Sequence, residues 1–169
     1  MWGLVGGRWA RFASFVYGPA STLRYLRGRT TQGDRFDIGH SPTGALSVFA
    51  LLLVLAVQVT TGLVSFDDIE QVGGPLNRFV AEATALKALG WHRSAGQVLV
   101  ISLVVLHLVA VLFYLLAKRR NLIGPMWHGD KPLDDASLAA ADSARERLVA
   151  LLVALACAAL VAWVVSLGS

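Results

Sequence analysis

Apolar positions gather into three long blocks, and charge and turn-forming residues collect between them. The first is Gly44 to Val64, "GALSVFALLLVLAVQVTTGLV"; the second is Ser94 to Ala117, "SAGQVLVISLVVLHLVAVLFYLLA"; the third is Leu148 to Gly168, "LVALLVALACAALVAWVVSLG". None contains Asp, Glu, Lys or Arg. A hydrocarbon core of about 30 Å takes about 20 helical residues at roughly 1.5 Å each, so every block is long enough to span. The pattern predicts an all-α membrane protein with three transmembrane helices over 44–64, 94–117 and 148–168.

The connecting stretches add detail. "GHSPTG" opens the first span, and Pro42 suits the first turn of a helix, where its missing N–H costs nothing. In "DDIEQVGGPLNRFVAEATALKALG", Leu76, Phe79, Val80 and Ala83 recur at helical spacing after Pro75, predicting a short amphipathic helix on the outer side. "KRRNLIGPMWHGDKPLDD" reads as an inner loop, and residues 136–147, "ASLAAADSARER", read as a cytoplasmic extension of the third helix. There is no internal repeat and no low-complexity tract.

Basic residues set the orientation. Six precede the first span (Arg8, Arg11, Arg24, Arg27, Arg29, Arg35) and six lie between the second and third (Lys118, Arg119, Arg120, Lys131, Arg145, Arg147). The intervening loop has three, Arg78, Lys87 and Arg93, against Asp67, Asp68, Glu70 and Glu82. The positive-inside rule then puts the N-terminus in the cytoplasm.

Composition agrees with the spans. The chain has 169 residues, 56% hydrophobic and 15% charged, where soluble domains average about 25% charged. A net charge of +4 is compatible with a nucleic-acid partner, but the basic residues flank apolar segments as cytoplasmic anchors do, and no nucleic-acid partner is expected. The single cysteine, Cys157, lies in an apolar block and excludes an intramolecular disulfide or a cysteine-rich metal site. The N-terminus lacks a basic region ahead of an apolar core and does not resemble a signal peptide.

Little chemistry remains inside the spans. Ser47, Thr60 and Thr61 are expected to bond back to helix carbonyls, and Gln58 to face the bundle or a headgroup. His107 stands apart, because an ionisable ring among aliphatic side chains is costly unless it has work to do. Neutral imidazole is a good axial ligand for haem iron, and haem is an apolar disc suited to the gap between helices. His92 precedes it by fifteen positions. At roughly 100° per residue the two project within about 60° of one another, and about 22 Å apart along the axis. One metal cannot be shared over that distance, whereas two cofactors, one near each membrane surface, can be served. His40 and His128 read first as capping or solvated residues, with His40 and Arg35 as weak candidates beside a haem propionate.

The chain resembles the bacterial cytochrome b561 and nickel–iron hydrogenase b-type cytochrome family. The resemblance rests on "WGLVGGRWARFASFVYGP" with "YLRG", then "GHSPTGALSVFALLLVLAVQVTTGLVS", "DD…GGPLNRFV", the helix with His92, Gly96 and His107, and "KRRNLIGPMWHGDK". It covers residues 1–131, leaving 132–169 as an additional C-terminal helix. It implies a four-helix core carrying two b haems, in which one helix donates a ligand to each: His92 to the outer haem iron and His107 to the inner. It also implies electron transfer, in a respiratory chain of the bacterial inner membrane, between a quinone pool and a redox partner. An electron-transfer protein is thus expected rather than a stand-alone enzyme, and no catalytic residue is assigned.

One departure matters. In the family the opposing histidines lie on helices preceding the "WGLVG" stretch, which begins here at Trp2. The chain is therefore read as lacking its first one to two helices, with a second subunit or a second copy as another source of the missing ligands. The competing functions are a haem-bearing anchor subunit of a dehydrogenase and a cofactor-free structural membrane fragment. A transporter is disfavoured by the lack of an acid–base path and of repeated helices.

Overall fold

A computed structural model describes residues 2–7, 9–29, 39–129 and 143–168. Each apolar block falls, to within two residues at its end, in a helix long and apolar enough to cross a membrane: Pro42–Val64, Glu82–Leu116 and Ala144–Ser166. In chain order the helices are α1 (Trp2–Val5), α2 (Pro19–Leu26), α3 (Pro42–Val64), α4 (Glu82–Trp91), α5 (Gln97–Leu116), α6 (Ile123–His128) and α7 (Ala144–Ser166). A π turn, His92–Gly96, joins α4 to α5 into one continuous rod. Strands β1 (Phe66–Asp67) and β2 (Val72–Gly73) form an antiparallel hairpin after α3, with Phe66 opposite Gly73. Leu53 on α3, Leu106 on α5 and Leu155 on α7 are all more than half exposed. Apolar surface of that extent is a liability in water and natural in hydrocarbon, where helices satisfy their own backbone. The protein is a multi-pass membrane protein.

The chain divides into two units, Met1–Val48 with Gly129–Cys157, and Phe49–His128 with Ala158–Ser169. In the first unit the entry to α3 is built around buried Phe15, Pro42 and Ala45. Phe15 meets Phe12 edge-on at 5.9 Å and lies against the His40 ring at 4.5 Å. The Tyr17 hydroxyl donates to the His40 carbonyl at 2.8 Å, and the Ser41 hydroxyl accepts the Gly44 N–H at 3.2 Å as a side-chain cap. Pro42 stands at the first helical position, as its chemistry predicts.

The start of α7 differs from the expected extension over 136–147. Ser143 is not helical; its N–H donates to Glu146 Oε2 at 3.1 Å, and its hydroxyl bonds the same oxygen. That is the carboxylate half of a capping box, which ends a helix at its N-terminal side. Residues 136–142 lie outside the described residues.

In the second unit the loop after α3 departs from the predicted amphipathic helix at 76–83. Only a single 3₁₀ turn forms, at Asn77–Phe79, and the helix begins at Glu82. The preceding segment has another task, closing the C-terminus of α3. Orphan carbonyls there need donors: Leu76 N–H bonds the Leu63 carbonyl at 2.9 Å and Gly74 N–H bonds that of Ser65 at 2.9 Å. Gly74 makes this possible by close approach, since a Cβ would stand 2.1 Å from the Gly62 carbonyl oxygen. At the far end of α5, Arg120 N–H reaches back to the Tyr114 carbonyl at 2.9 Å, with Arg119 left-handed at φ 52°. This wide C-terminal closure satisfies a carbonyl of the last turn, and its basic residues complement the negative helix end.

Asp67 ties the hairpin to the π turn. It is 5% exposed; Oδ1 accepts the N–H groups of Ile69 and Glu70 at 3.0 and 3.1 Å, and Oδ2 pairs with the Arg93 guanidinium. The Glu70 N–H first, then that of Ile69 and the Arg93 charge, hold the carboxyl below the usual carboxylate range despite the opposing effect of burial. A depressed folded pKa adds stability that is fully present above about pH 4 and is lost as pH falls through the lower, folded value. Asp67→Asn is therefore expected to lower the thermal midpoint in detergent at pH 7, with the gap from the parent chain closing below pH 4. A gap independent of pH would show that the carboxylate charge is not what matters.

Candidate functional site

The polar groups of the second unit meet where α3 passes the π turn. Gln58, Thr61 and Gly62 lie on one face of α3, spaced three and four residues apart. The Thr61 hydroxyl bonds back to the Val57 carbonyl at 2.8 Å, and that of Thr60 to Ala56 at 2.7 Å, as expected for hydroxyls in an apolar helix. Gln58 reaches outward to the neighbouring rod.

His92 sits at the first position of the π turn, half-buried. Its Nδ1 lies 2.9 Å from the Gln58 carbonyl oxygen and 3.4 Å from the Thr61 hydroxyl. A carbonyl can only accept, and the shorter contact dominates, so Nδ1 carries the proton. The unprotonated nitrogen is then Nε2, which has no hydrogen-bond partner among the described residues. In return, Gln58 Nε2 donates to the His92 carbonyl at 2.9 Å. The imidazole lies close against the α3 backbone because Gly62 has no side chain: a Cβ there would stand 2.8 Å from His92 Cε1.

Gly96, at the other end of the π turn, is buried and gives room to Gln58. A Cβ on it would stand 2.0 Å from Gln58 Oε1 and 3.1 Å from Trp91 Nε1. Oε1 is itself buried with no hydrogen-bond partner. An orphan acceptor of that kind costs about 1–3 kcal/mol, which the two bonds to His92 must offset. Nothing in the local sequence calls for a wide turn; Gln58 and the two glycines supply the contacts that accompany it.

His107 lies on α5, half-buried, with no hydrogen-bond partner among the described residues. Val104, Val105, Leu106 and Leu108 around it are exposed aliphatics. The π turn alters its relation to His92. One more residue than usual fits into the wide turn, so fifteen positions advance about as far as fourteen in a regular helix. The angle between the two side chains becomes roughly 40° in the opposite sense, and the axial separation about 21 Å. They still share a broad face.

His40 packs on Phe15, and burial pulls its pKa below the usual imidazole value, so it is neutral at pH 7. Arg35 lies outside the described residues. Among the described residues no three His, Cys, Asp or Glu side chains gather as a metal site. A haem needs no such cluster, because the porphyrin supplies the in-plane ligands and the protein only the axial ones. An imidazole with Nδ1 committed and Nε2 unpartnered, set at the edge of an apolar face, fits that requirement.

Sequence reasoning named both histidines and left Gln58 with a general polar role. The available signal was the pairing of Gln58 with Gly62 four residues on, and of His92 with Gly96: in each pair a glycine stands one turn from a large polar side chain. Arg93 and Asp67, 26 residues apart, gave no such signal.

No curated protein and no solved structure matches the chain. The family model described as prokaryotic cytochrome b561 matches residues 1–129, most of its length. Three spanning helices, paired histidines on one of them and this match agree: the chain belongs to the prokaryotic cytochrome b561 family, membrane b-type cytochromes that transfer electrons.

Proposed function

We propose that this protein carries electrons within or across the bacterial inner membrane between the quinone pool and a redox partner, through two b haems held in part by His92 and His107. The observation that carries the reading is the state of His92, whose Nδ1 is engaged at 2.9 Å by a carbonyl while Nε2 has no partner. His107 extends it: an unpaired imidazole in hydrocarbon costs about 1–3 kcal/mol, and iron ligation would remove that cost. Residues 1–131 form the cytochrome domain and 132–169 an added helix.

Bound haem b supplies a one-electron iron couple whose potential depends on its axial ligands and their hydrogen bonds. The chain's own residues do the rest. His92 Nε2 would hold the outer iron, its basicity raised by the Nδ1–H bond to Gln58. His107 would hold the inner iron, and its aliphatic neighbours exclude water. Arg35 and His40, on the cytoplasmic side with the N-terminus, are weaker candidates to meet a propionate. The described spans hold one histidine per haem; a second subunit or a second copy would supply the opposing ligands. Lipid covers the outward faces of the helices.

The quinone connection is tested by mixing the membrane-embedded protein with a short-chain quinol without oxygen. Haem absorption is expected to pass to the reduced form and to return on adding quinone. Haem that dithionite reduces but quinol does not would remove the quinone pool from the account.

A further inference from the structure

We infer that Gln58 is the positioning residue of the His92 haem site, acting at once through its main chain and its side chain; this rests on the reading of His92 as an axial ligand. The main-chain carbonyl holds the proton on Nδ1, which leaves the lone pair on Nε2, the nitrogen that can bind iron. The side-chain amide donates to the His92 carbonyl at 2.9 Å, at the start of the wide turn. One residue thus grips the histidine at both ends, through the ring and through the backbone that aims it.

Two glycines support the grip. Gly62 lets the ring lie on α3, and Gly96 gives space to Gln58 Oε1, which has no partner of its own. A glutamine in hydrocarbon that leaves one of its polar atoms unsatisfied is poorly explained as filler. It is explained by the donor it brings. In a regular helix each carbonyl is already bonded to the N–H four residues on; the π turn widens that ring and exposes the His92 carbonyl to an outside donor.

The test uses the full chain in detergent, with the two haems assigned beforehand from His92→Ala and His107→Ala. Gln58→Leu is expected to shift the midpoint potential of the His92 haem and to lower its occupancy at least twofold, leaving the His107 haem at its original potential. Gln58→Glu is expected to lose occupancy at neutral pH and to regain it on acidification, when a protonated carboxyl can again donate to the His92 carbonyl. Equal effects on both haems, or none on either, would overturn the assignment, since a helix contact of purely structural value would not single out one haem or follow pH. Should the chain bind no haem, the cytochrome reading fails while the clamp remains measurable. Nitrogen NMR of the histidines should then show His92 protonated at Nδ1 in the parent chain, and in Gln58→Leu as well, since that variant keeps the main-chain carbonyl. A parent chain protonated at Nε2 instead would overturn the clamp by itself.

Discussion

His107→Ala is expected to remove one of two b-type signals from the reduced-minus-oxidised spectrum almost completely, leaving the other near its full amplitude. The reason is distance. About 21 Å of helix separates His107 from His92, so deleting one imidazole cannot reach the other ligand through local packing. The substitution also threatens the fold very little. Alanine is the better helix former by a few tenths of a kcal/mol, and it removes an imidazole that has no partner among the described residues. Loss of signal therefore reports loss of a ligand, not of structure. Equal loss of both bands would instead indicate misfolding, and unchanged bands would remove His107 from the ligand set. His92→Ala should mirror the result for the other haem.

Gly74→Ala is expected to produce the largest stability loss of any single methyl addition to the loop between α3 and α4. The added Cβ would stand 2.1 Å from the Gly62 carbonyl oxygen and 2.4 Å from that of Leu63. Both are backbone atoms at the end of a helix, so neither can swing aside as a side chain would. Relief requires lifting the loop off α3, which sacrifices the Gly74 and Leu76 N–H bonds to Ser65 and Leu63. With those carbonyls left unpaired the cost should be about 2–4 kcal/mol, read as a lower unfolding midpoint in detergent. Gly90→Ala is the informative contrast, because nothing lies within 4 Å of its would-be Cβ. Inside α4 that change should stabilise by up to about 1 kcal/mol through helix propensity alone. Similar losses in both variants would refute the close-approach argument.

Much of the architecture was legible because hydrophobic length is a strong signal in a membrane. The block beginning at Gly44 lies within α3 and that beginning at Leu148 overlaps α7 as far as Ser166; the observed starts are set by Pro42 and by the Ser143 cap. The loop between α3 and α4 departs from its predicted helix for a physical reason. Leu76 and Phe79 keep helical spacing, but their backbone serves the C-terminus of α3, and no spacing rule anticipates a tertiary bond from Leu76 N–H to Leu63. The π turn was invisible for the same cause. "HRSAG" has nothing against an ordinary helix, and the wide turn coincides with contacts from Gln58, 34 residues earlier. His92 and His107 could be named from one helix alone, whereas the residue that orients His92 could be found only once two helices were placed together.

The most direct test of the account is the reduced-minus-oxidised visible spectrum of the full chain from bacterial membranes, recorded beside that of the His92→Ala/His107→Ala double variant. The parent chain should show b-type bands, and the double variant, inserted and helical to the same degree, should show none. An inserted parent chain without such bands, or a double variant that keeps them unchanged, would contradict the assignment of these two histidines as haem ligands.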